Sequence, residues 1–160
     1  GYELSGTWGA AMERGVTHPG STVYGRLGDG SFMMNPQILI DAVEHGVRGM
    51  IVIFDNRRMA AITGLQLAQY KTEFRTNDRV AVDYVKLAGA VSGVHAVSGG
   101  DTADSLRAAL KAAHEHDGLS VVHVPVYNGP DELGGLGAWG DWNVGNWVED
   151  VQGAWIRQDL

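Results

Sequence analysis

The sequence predicts an α/β fold in which helices cover both faces of a doubly wound parallel sheet, in three layers. Short apolar runs rich in β-branched residues alternate with longer segments whose apolar residues recur at helical spacing. Two of these runs, GMIVIF at 49–54 and LSVVHVPV at 119–126, are apolar almost throughout, which is typical of parallel strands buried on both faces. Strands that alternate with helices need crossover connections, and these produce a parallel sheet.

The first third of the chain predicts a helix, a strand and a second helix. Residues 2–14 carry small and apolar side chains at near-helical spacing, and Gly15 is expected to end this helix. A short β-branched strand is predicted at 22–27. An Asn-Pro pair at 35–36 predicts the next helix start, with Gly46 after its end. The residues expected to face inward are Ile38, Leu39, Ala42 and Val43.

The middle of the chain carries weaker signals. Residues 55–70 have no clean period, although 65–70 is compatible with a helix. A helix is predicted at 78–92, followed by a strand at 94–97.

The clearest helix in the sequence covers residues 102–116. Asp101 is the predicted N-cap, and Gly118 is expected to close the helix before the last strand, 119–126. The inward positions are Leu106, Ala109, Leu110 and Ala113.

Composition excludes several classes of function. The chain has 12 basic and 19 acidic residues and a net charge of -7, so it lacks the basic surface that nucleic-acid binding requires. It has no cysteine, and hence no disulfide, zinc-thiolate or cysteine-nucleophile chemistry. No apolar run approaches the roughly 18 residues of a membrane span. We therefore expect a cytoplasmic protein that binds neither nucleic acid nor membrane.

Polar residues follow two of the predicted strands. Gly28, Asp29, Gly30 and Ser31 follow the strand at 22–27, where a glycine-flanked backbone offers N–H groups to phosphate while the carboxylate holds a hard cation. Asp55 and Asn56 follow the next strand along the chain. One helix and one strand separate the two groups, so both lie at the carboxyl edge of the sheet, where ligands bind in open α/β folds.

This pattern resembles the signature of a known family. GDGS, followed at this spacing by DN where NN is usual, is similar to the thiamin diphosphate signature of enzymes that include acetolactate synthase, pyruvate decarboxylase and the trihydroxycyclohexanedione hydrolases. GYELSGTWGAAM resembles the stretch that precedes this signature, and DNRRMAAITGLQ is more similar to the dione hydrolases of inositol catabolism than to the decarboxylases. The resemblance covers residues 1–126.

The resemblance implies a site for thiamin diphosphate and Mg²⁺. Asp29 and Asn56 match the side-chain ligands of the metal, and Arg58 stands where the family supplies a backbone carbonyl to it. The family commonly has glycine at that position, so we expect a stiffer or differently shaped loop here. The implied cofactor-binding residues are Gly28, Asp29, Gly30, Ser31, Asn56, Arg58 and Met59.

The same resemblance implies a reaction and a partner. The reaction is cleavage or formation of a C–C bond next to the carbonyl of a 2-keto acid or cyclic dione. The activating glutamate of the family lies on a pyrimidine-binding domain that this sequence does not contain, and the first strand of the present domain is expected before Gly1. We therefore expect no turnover without a partner domain or subunit, in a homo- or hetero-oligomer.

Three alternatives remain open on the sequence. The chain is either a fragment of a longer enzyme or the smaller subunit of a split 2-keto acid decarboxylase. A third hypothesis is a non-catalytic module that binds a phosphate or a nucleotide with the same fold. A P-loop and a dinucleotide site are less well supported, because GxxxxGK[ST] is absent and the glycines of GRLGDG are in the wrong order for GxGxxG.

The remaining distinctive residues lie beside or beyond the predicted strands. The predicted domain is 1–128, and the Gly- and Trp-rich tail at 129–160 is expected to be an active-site lid or an interface strap. His123, in an apolar strand, is predicted to be a hydrogen-bonded core residue. Arg57 and Arg58 are either a surface pair or groups that bind a substrate carboxylate.

Overall fold

The computed structural model describes residues 1–76 and 80–126. The chain divides into two compact units: the first comprises Gly1–Asn56 and Val80–Val126, and the second contributes residues 57–76 to the described part. The predicted tail at 129–160 lies outside the described residues, as do residues 78 and 79 of the predicted helix at 78–92.

Helices and strands alternate along the described residues. The strands are β1 (Val23–Gly28), β2 (Gly49–Asp55), β3 (His95–Ser98) and β4 (Leu119–Pro125). The helices are α1 (Tyr2–Thr17), α2 (Asp29–Phe32), α3 (Ile38–Glu44), α4 (Ala60–Tyr70), α5 (Tyr84–Gly89) and α6 (Ala103–Glu115). All of them belong to the first unit except α4.

Within the described residues the four strands form one parallel sheet in the order β1-β2-β4-β3. Gly28 of β1 is paired with Phe54 of β2, and Ser98 of β3 with His123 of β4. The carboxyl ends of all four strands therefore lie along one edge. Strand β4 runs between β2 and β3, so residues distant in sequence become neighbours there.

Side chains of the sheet alternate between two apolar layers. One layer packs against α1, α3 and α5, and its strand residues include Leu27, Ile51, Ile53 and Val121. The other layer packs against α6, and its strand residues include Met50, Val52, Val122 and Val124. The predicted three-layer α/β fold with a parallel sheet is thereby confirmed.

Three predicted helix boundaries were wrong. Gly15 does not end α1, which continues to Thr17 because glycine in an exposed helix position costs only about 1 kcal/mol. The second predicted helix begins at Ile38, after turns, and not at the Asn-Pro pair at 35–36. The helix predicted at 78–92 is shorter: Asp83 accepts a hydrogen bond from the Lys86 backbone N–H and begins α5.

The N-cap of α6 is Thr102 and not Asp101. Thr102 Oγ1 accepts from the Ser105 backbone N–H, and the Ser105 hydroxyl accepts from the Thr102 backbone N–H. Such a reciprocal capping box satisfies two otherwise unpaired donors, which a cap one residue earlier would not do.

The described part of the second unit is built around α4. The predicted helical stretch at 65–70 is confirmed, but the helix already begins at Ala60. It ends at Tyr70, and its C-cap, Lys71, adopts a left-handed conformation with φ 56°. Gln66 on this helix binds the Phe74 backbone, accepting from its N–H at 2.8 Å and donating to its carbonyl at 3.3 Å. Thr63 donates to Thr76 Oγ1 at 2.7 Å within the same unit.

The contact between α1 and β1 depends on a glycine. A Cβ at Gly25 would overlap Thr7 Oγ1 and lie 3.0 Å from Thr7 Cβ. Thr7 is β-branched and donates to the Glu3 carbonyl at 2.6 Å, so its side chain has little freedom to move. We expect Gly25→Ala to lower the free energy of unfolding by about 1–3 kcal/mol in urea denaturation.

Gly9→Ala is the matched control for this prediction. Gly9 lies in α1, and a Cβ added there would have no atom of the described residues within 4 Å, so alanine should stabilise the helix by about 0.5–1 kcal/mol. Equal effects of the two substitutions would contradict the proposed close approach of α1 and β1.

Candidate functional site

The predicted site residues of the first unit lie at the carboxyl edge of the sheet. Asp29 follows the last residue of β1, and Asn56 follows the last residue of β2. Because Gly28 is paired with Phe54, both side chains begin from neighbouring strand ends. The structure therefore places Asp29, Asp55 and Asn56 in the region where open α/β sheets bind ligands.

The last three residues of the GDGS segment are helical, and do not form the loop that the sequence predicts. Gly28 has extended backbone with φ -77° and ψ 160°, and the next four residues form α2. Phe32, at the end of α2, is fully buried and fixes this turn against the core. The backbone N–H groups of Asp29 and Gly30, at the start of α2, donate to the Asp29 carboxylate and so satisfy donors that have no carbonyl partner within the helix.

Gly28 leaves space beside the backbone at this point. Among the atoms of residues 1–76 and 80–126, a Cβ at Gly28 would have only the Phe54 carbonyl oxygen near it, at 4.0 Å. The strand itself therefore tolerates a side chain here, and the space that glycine leaves is compatible with a ligand close to the main chain.

Asp29 is a buried carboxyl next to a second carboxyl. Burial raises the pKa of Asp29 above its usual range, and the charge of Asp55 raises it further. The backbone N–H of Gly30 donates to the Asp29 carboxylate and acts in the opposite direction. Two carboxyl groups held together away from water attract a cation, because a positive charge relieves both burial and repulsion.

Asp55 is bonded to His123. His123 Nε2 lies 2.8 Å from Asp55 Oδ2, and the carboxylate accepts this hydrogen bond. The His123 ring packs against Tyr84 with centroids 5.4 Å apart, and Tyr84 packs edge-on against Phe32. The hydrogen bond predicted for His123 is present, but its partner was not predicted. A polar residue close to the end of an apolar strand was the available signal.

The Ser31 hydroxyl is directed to α1. It donates to Glu3 Oε2 at 2.7 Å, and this hydrogen bond is the main reason that the pKa of Glu3 is lowered to about 2. The side chain of Ser31 is therefore engaged within the protein, and the cofactor contact assigned to this residue stays a prediction.

Arg58 and Met59 belong to the second unit. The Arg58 side chain is largely buried and its Nη2 lies 3.9 Å from Glu73 Oε2, while the Met59 backbone N–H donates to the Thr76 carbonyl at 2.8 Å. The residue before them, Arg57, has φ 50°, a left-handed conformation that is uncommon for a side chain of this size. The cofactor and metal contacts assigned to Arg58 and Met59 stay predictions.

Two further findings concern residues 1–76 and 80–126. No helix in these ranges has the length and apolar character needed to cross a lipid bilayer. The same ranges contain no group of three or more His, Cys, Asp or Glu side chains placed to hold a metal ion. The predicted ligand set is of a different kind, with one carboxylate, one amide and one backbone carbonyl.

Comparison with known proteins places this arrangement in context. Residues 1–124 match the family profile described as "Thiamine pyrophosphate enzyme, C-terminal TPP binding domain". The chain is 35% identical over 153 residues to the 3D-(3,5/4)-trihydroxycyclohexane-1,2-dione hydrolase of Bacillus subtilis (strain 168), covering 91% of this chain and 22% of that enzyme. The enzyme of that name from Halalkalibacterium halodurans is 34% identical over 163 residues, which cover 96% of this chain and 24% of that enzyme.

Solved structures share the fold. The benzoylformate decarboxylase of Polynucleobacter necessarius superposes with a TM-score of 0.71 and 24% identity, covering 79% of this chain and 23% of the decarboxylase. A thiamine diphosphate-dependent 4-hydroxybenzoylformate decarboxylase of Rhodococcus jostii RHA1 superposes with a TM-score of 0.67 and 25% identity, covering 76% of this chain and 23% of that enzyme. The chain thus spans less than a quarter of the length of these relatives.

Proposed function

Because the chain belongs to the thiamine pyrophosphate enzymes, as their C-terminal TPP-binding domain, we propose that it binds the diphosphate of thiamin diphosphate through Mg²⁺ at the carboxyl edge of its sheet. The observation that carries the proposal is the buried Asp29 carboxyl at the end of β1, beside Asp55 and Asn56 at the end of the neighbouring strand β2. Carboxylate and amide oxygens are ligands that Mg²⁺ prefers.

The donor set fits the proposed ligands. Asp29 and Asn56 would contribute side-chain oxygens to the cation, and Arg58 its backbone carbonyl. The space left by Gly28 would admit the phosphate oxygens close to the main chain at the end of β1. The proposed cofactor-binding residues remain Gly28, Asp29, Gly30, Ser31, Asn56, Arg58 and Met59.

In this mechanism the chain's own residues hold and orient the cofactor. When bound, thiamin diphosphate supplies the electron-sink chemistry that cleaves or forms a C–C bond next to a carbonyl. Asp29 and Asn56 would hold the cation and, through it, the diphosphate end of the cofactor, and Phe32 keeps α2 in place against the core. The activating carboxylate would come from a pyrimidine-binding partner domain, so we expect the chain to need that domain or subunit for turnover.

We favour a cyclic dione as substrate and hydrolytic C–C cleavage as reaction. The support is the 35% identity to a trihydroxycyclohexane-dione hydrolase over 91% of the chain, against 25% to a decarboxylase. Decarboxylation of a 2-keto acid is the alternative, and incubation of the full-length protein with each substrate class distinguishes the two.

Isothermal titration calorimetry tests the cofactor proposal. We expect the full-length protein to bind thiamin diphosphate with Mg²⁺ present and to lose measurable binding when the cation is chelated, because the diphosphate then meets the Asp29 carboxylate without a bridging charge. Binding of thiamin diphosphate that ignores chelation would contradict the metal-bridged site. Binding of ATP in its place, also without a cation, would favour a non-catalytic nucleotide module.

A further inference from the structure

Two histidines meet at the amino edge of the sheet. His95 begins β3, and His116 is the C-cap residue of α6, where the chain turns into β4. Their rings are in contact, with centroids 5.2 Å apart and planes tilted by 31°. The proposed cofactor ligands Asp29 and Asn56 follow the opposite, carboxyl ends of their strands. The histidine pair is therefore separate from that site.

The pairing of β3 with β4 brings the two rings together. Ser120 of β4 is the register partner of His95, and its hydroxyl donates to the Ala113 carbonyl of α6 at 2.9 Å. Paired residues of neighbouring strands project from the same face of a sheet, so the His95 side chain also points to the layer of α6. His116 leaves the end of α6 in extended backbone, with φ -67° and ψ 129°. The two imidazoles thus meet between the end of α6 and the start of β3.

The Nε2 atoms of both rings are excluded from solvent and lack a hydrogen-bond partner among the residues that the structure describes. Buried nitrogens are normally paired, because an unpaired one loses its hydration without compensation. A Cβ at Gly118 would lie 2.9 Å from the His116 Nε2, so glycine at this position keeps side-chain atoms away from the nitrogen. Two adjacent imidazole nitrogens of this kind are suited to a ligand that accepts their lone pairs, which is a metal ion.

We propose that His95 and His116 bind a divalent transition-metal ion of the Zn²⁺ type through their Nε2 atoms. Zn–N distances are about 2.0–2.1 Å, and two imidazoles on one tetrahedral ion have ring centroids about 5 Å apart, as this pair does. Water and the carboxylate of Asp117, whose side chain is 95% exposed, would complete the coordination. Imidazole suits Zn²⁺, Ni²⁺ and Cu²⁺, whereas Mg²⁺ takes oxygen ligands, so this site selects a different class of ion from the proposed cofactor site.

Isothermal titration calorimetry of the full-length protein with Zn²⁺ tests the proposal, with Mg²⁺ in excess so that sites built from oxygen ligands are filled. We expect His95→Gln and His116→Gln each to weaken Zn²⁺ binding at least about 100-fold, because each removes a ligand and not merely a group that supports one. An ion that binds only the folded state stabilises it, so Zn²⁺ should also raise the melting temperature of the parent and not of either variant.

His114→Gln is the matched control. His114 is exposed and lies two residues before His116, but its ring stacks on Tyr24 and is outside the pair. Its substitution should leave Zn²⁺ affinity unchanged. Co²⁺ adds a readout of geometry, because a tetrahedral Co²⁺ site absorbs visible light much more strongly than an octahedral one. The strong band should appear with the parent and with His114→Gln, and not with His95→Gln.

Three outcomes would overturn the inference. The first is Zn²⁺ binding that persists in both His95→Gln and His116→Gln. The second is binding that is lost in His114→Gln alone, which would show an adventitious ion only, held by exposed histidines. If neither glutamine variant folds, the parent decides, and the third outcome is a parent with no strong Co²⁺ band and no rise of melting temperature with Zn²⁺. These readouts involve neither thiamin diphosphate nor Asp29, so the inference and the proposed function fail independently.

Discussion

Replacing Asp29 with asparagine is expected to weaken Mg²⁺-dependent binding of thiamin diphosphate at least about 100-fold, beyond what loss of a residue supporting a metal ligand costs. The substitution keeps the size of the side chain and removes the charge that holds the cation at the end of β1. Calorimetry with and without Mg²⁺ measures the loss. Asp101→Asn, an exposed carboxylate outside the site, is the control and should bind normally.

The same substitution should stabilise the protein when no metal is present. The pKa of Asp29 is raised on folding, so its contribution to stability is complete below the ordinary aspartate pKa and is lost as pH rises through the raised value. Asparagine does not ionise and escapes this loss. Asp29→Asn should therefore melt at higher temperature than the metal-free parent at neutral pH, with the difference vanishing in acid. A lower melting temperature at neutral pH would contradict the buried-charge interpretation.

Removing the Phe32 ring should have the largest effect on stability. Phe32 is fully buried at the end of α2, with Tyr84 edge-on to it at 5.8 Å between centroids. We expect Phe32→Ala to lower the free energy of unfolding by about 3–5 kcal/mol, a large share of the roughly 5–15 kcal/mol typical of a domain. Urea denaturation measures this change.

The Phe32 substitution should also weaken cofactor binding, because α2 carries Asp29 and loses its anchor. Phe32→Leu retains part of the apolar volume and should fall between the parent and Phe32→Ala in both stability and affinity. A folded Phe32→Ala protein with unchanged affinity would show that α2 is positioned without this ring.

Local patterns predicted the secondary structure well where one signal dominated. The apolar runs at 49–54 and 119–126 became β2 and β4, since a strand buried on both faces has few other ways to hide such residues. Where two residues suited to capping are adjacent, the local pattern did not predict which of them caps the helix. Asp101 and Thr102 both suit an N-cap, and only the contact with Ser105 decided between them.

The sequence likewise predicted one part of the candidate site and not another. The GDGS and DN segments placed Asp29 and Asn56 at strand ends from the sequence alone, because a strand followed by a helix returns the chain to the same edge. The helical form of the GDGS segment was not predicted, since four residues carry no periodicity. It depends on the burial of Phe32 in a core that the rest of the chain supplies.

The sequence by itself determined the α/β class, the positions of the strands and the residues that end them, since hydrophobic periodicity and glycine, proline and capping residues act over a few positions. It did not determine which strands are neighbours. Only the tertiary structure placed β4 beside β2 and so brought His123 to Asp55, across 68 residues, and Asp55 to Asp29. The pairing of strands depends on packing over the whole sheet, and the side-chain partners of the site follow from that pairing.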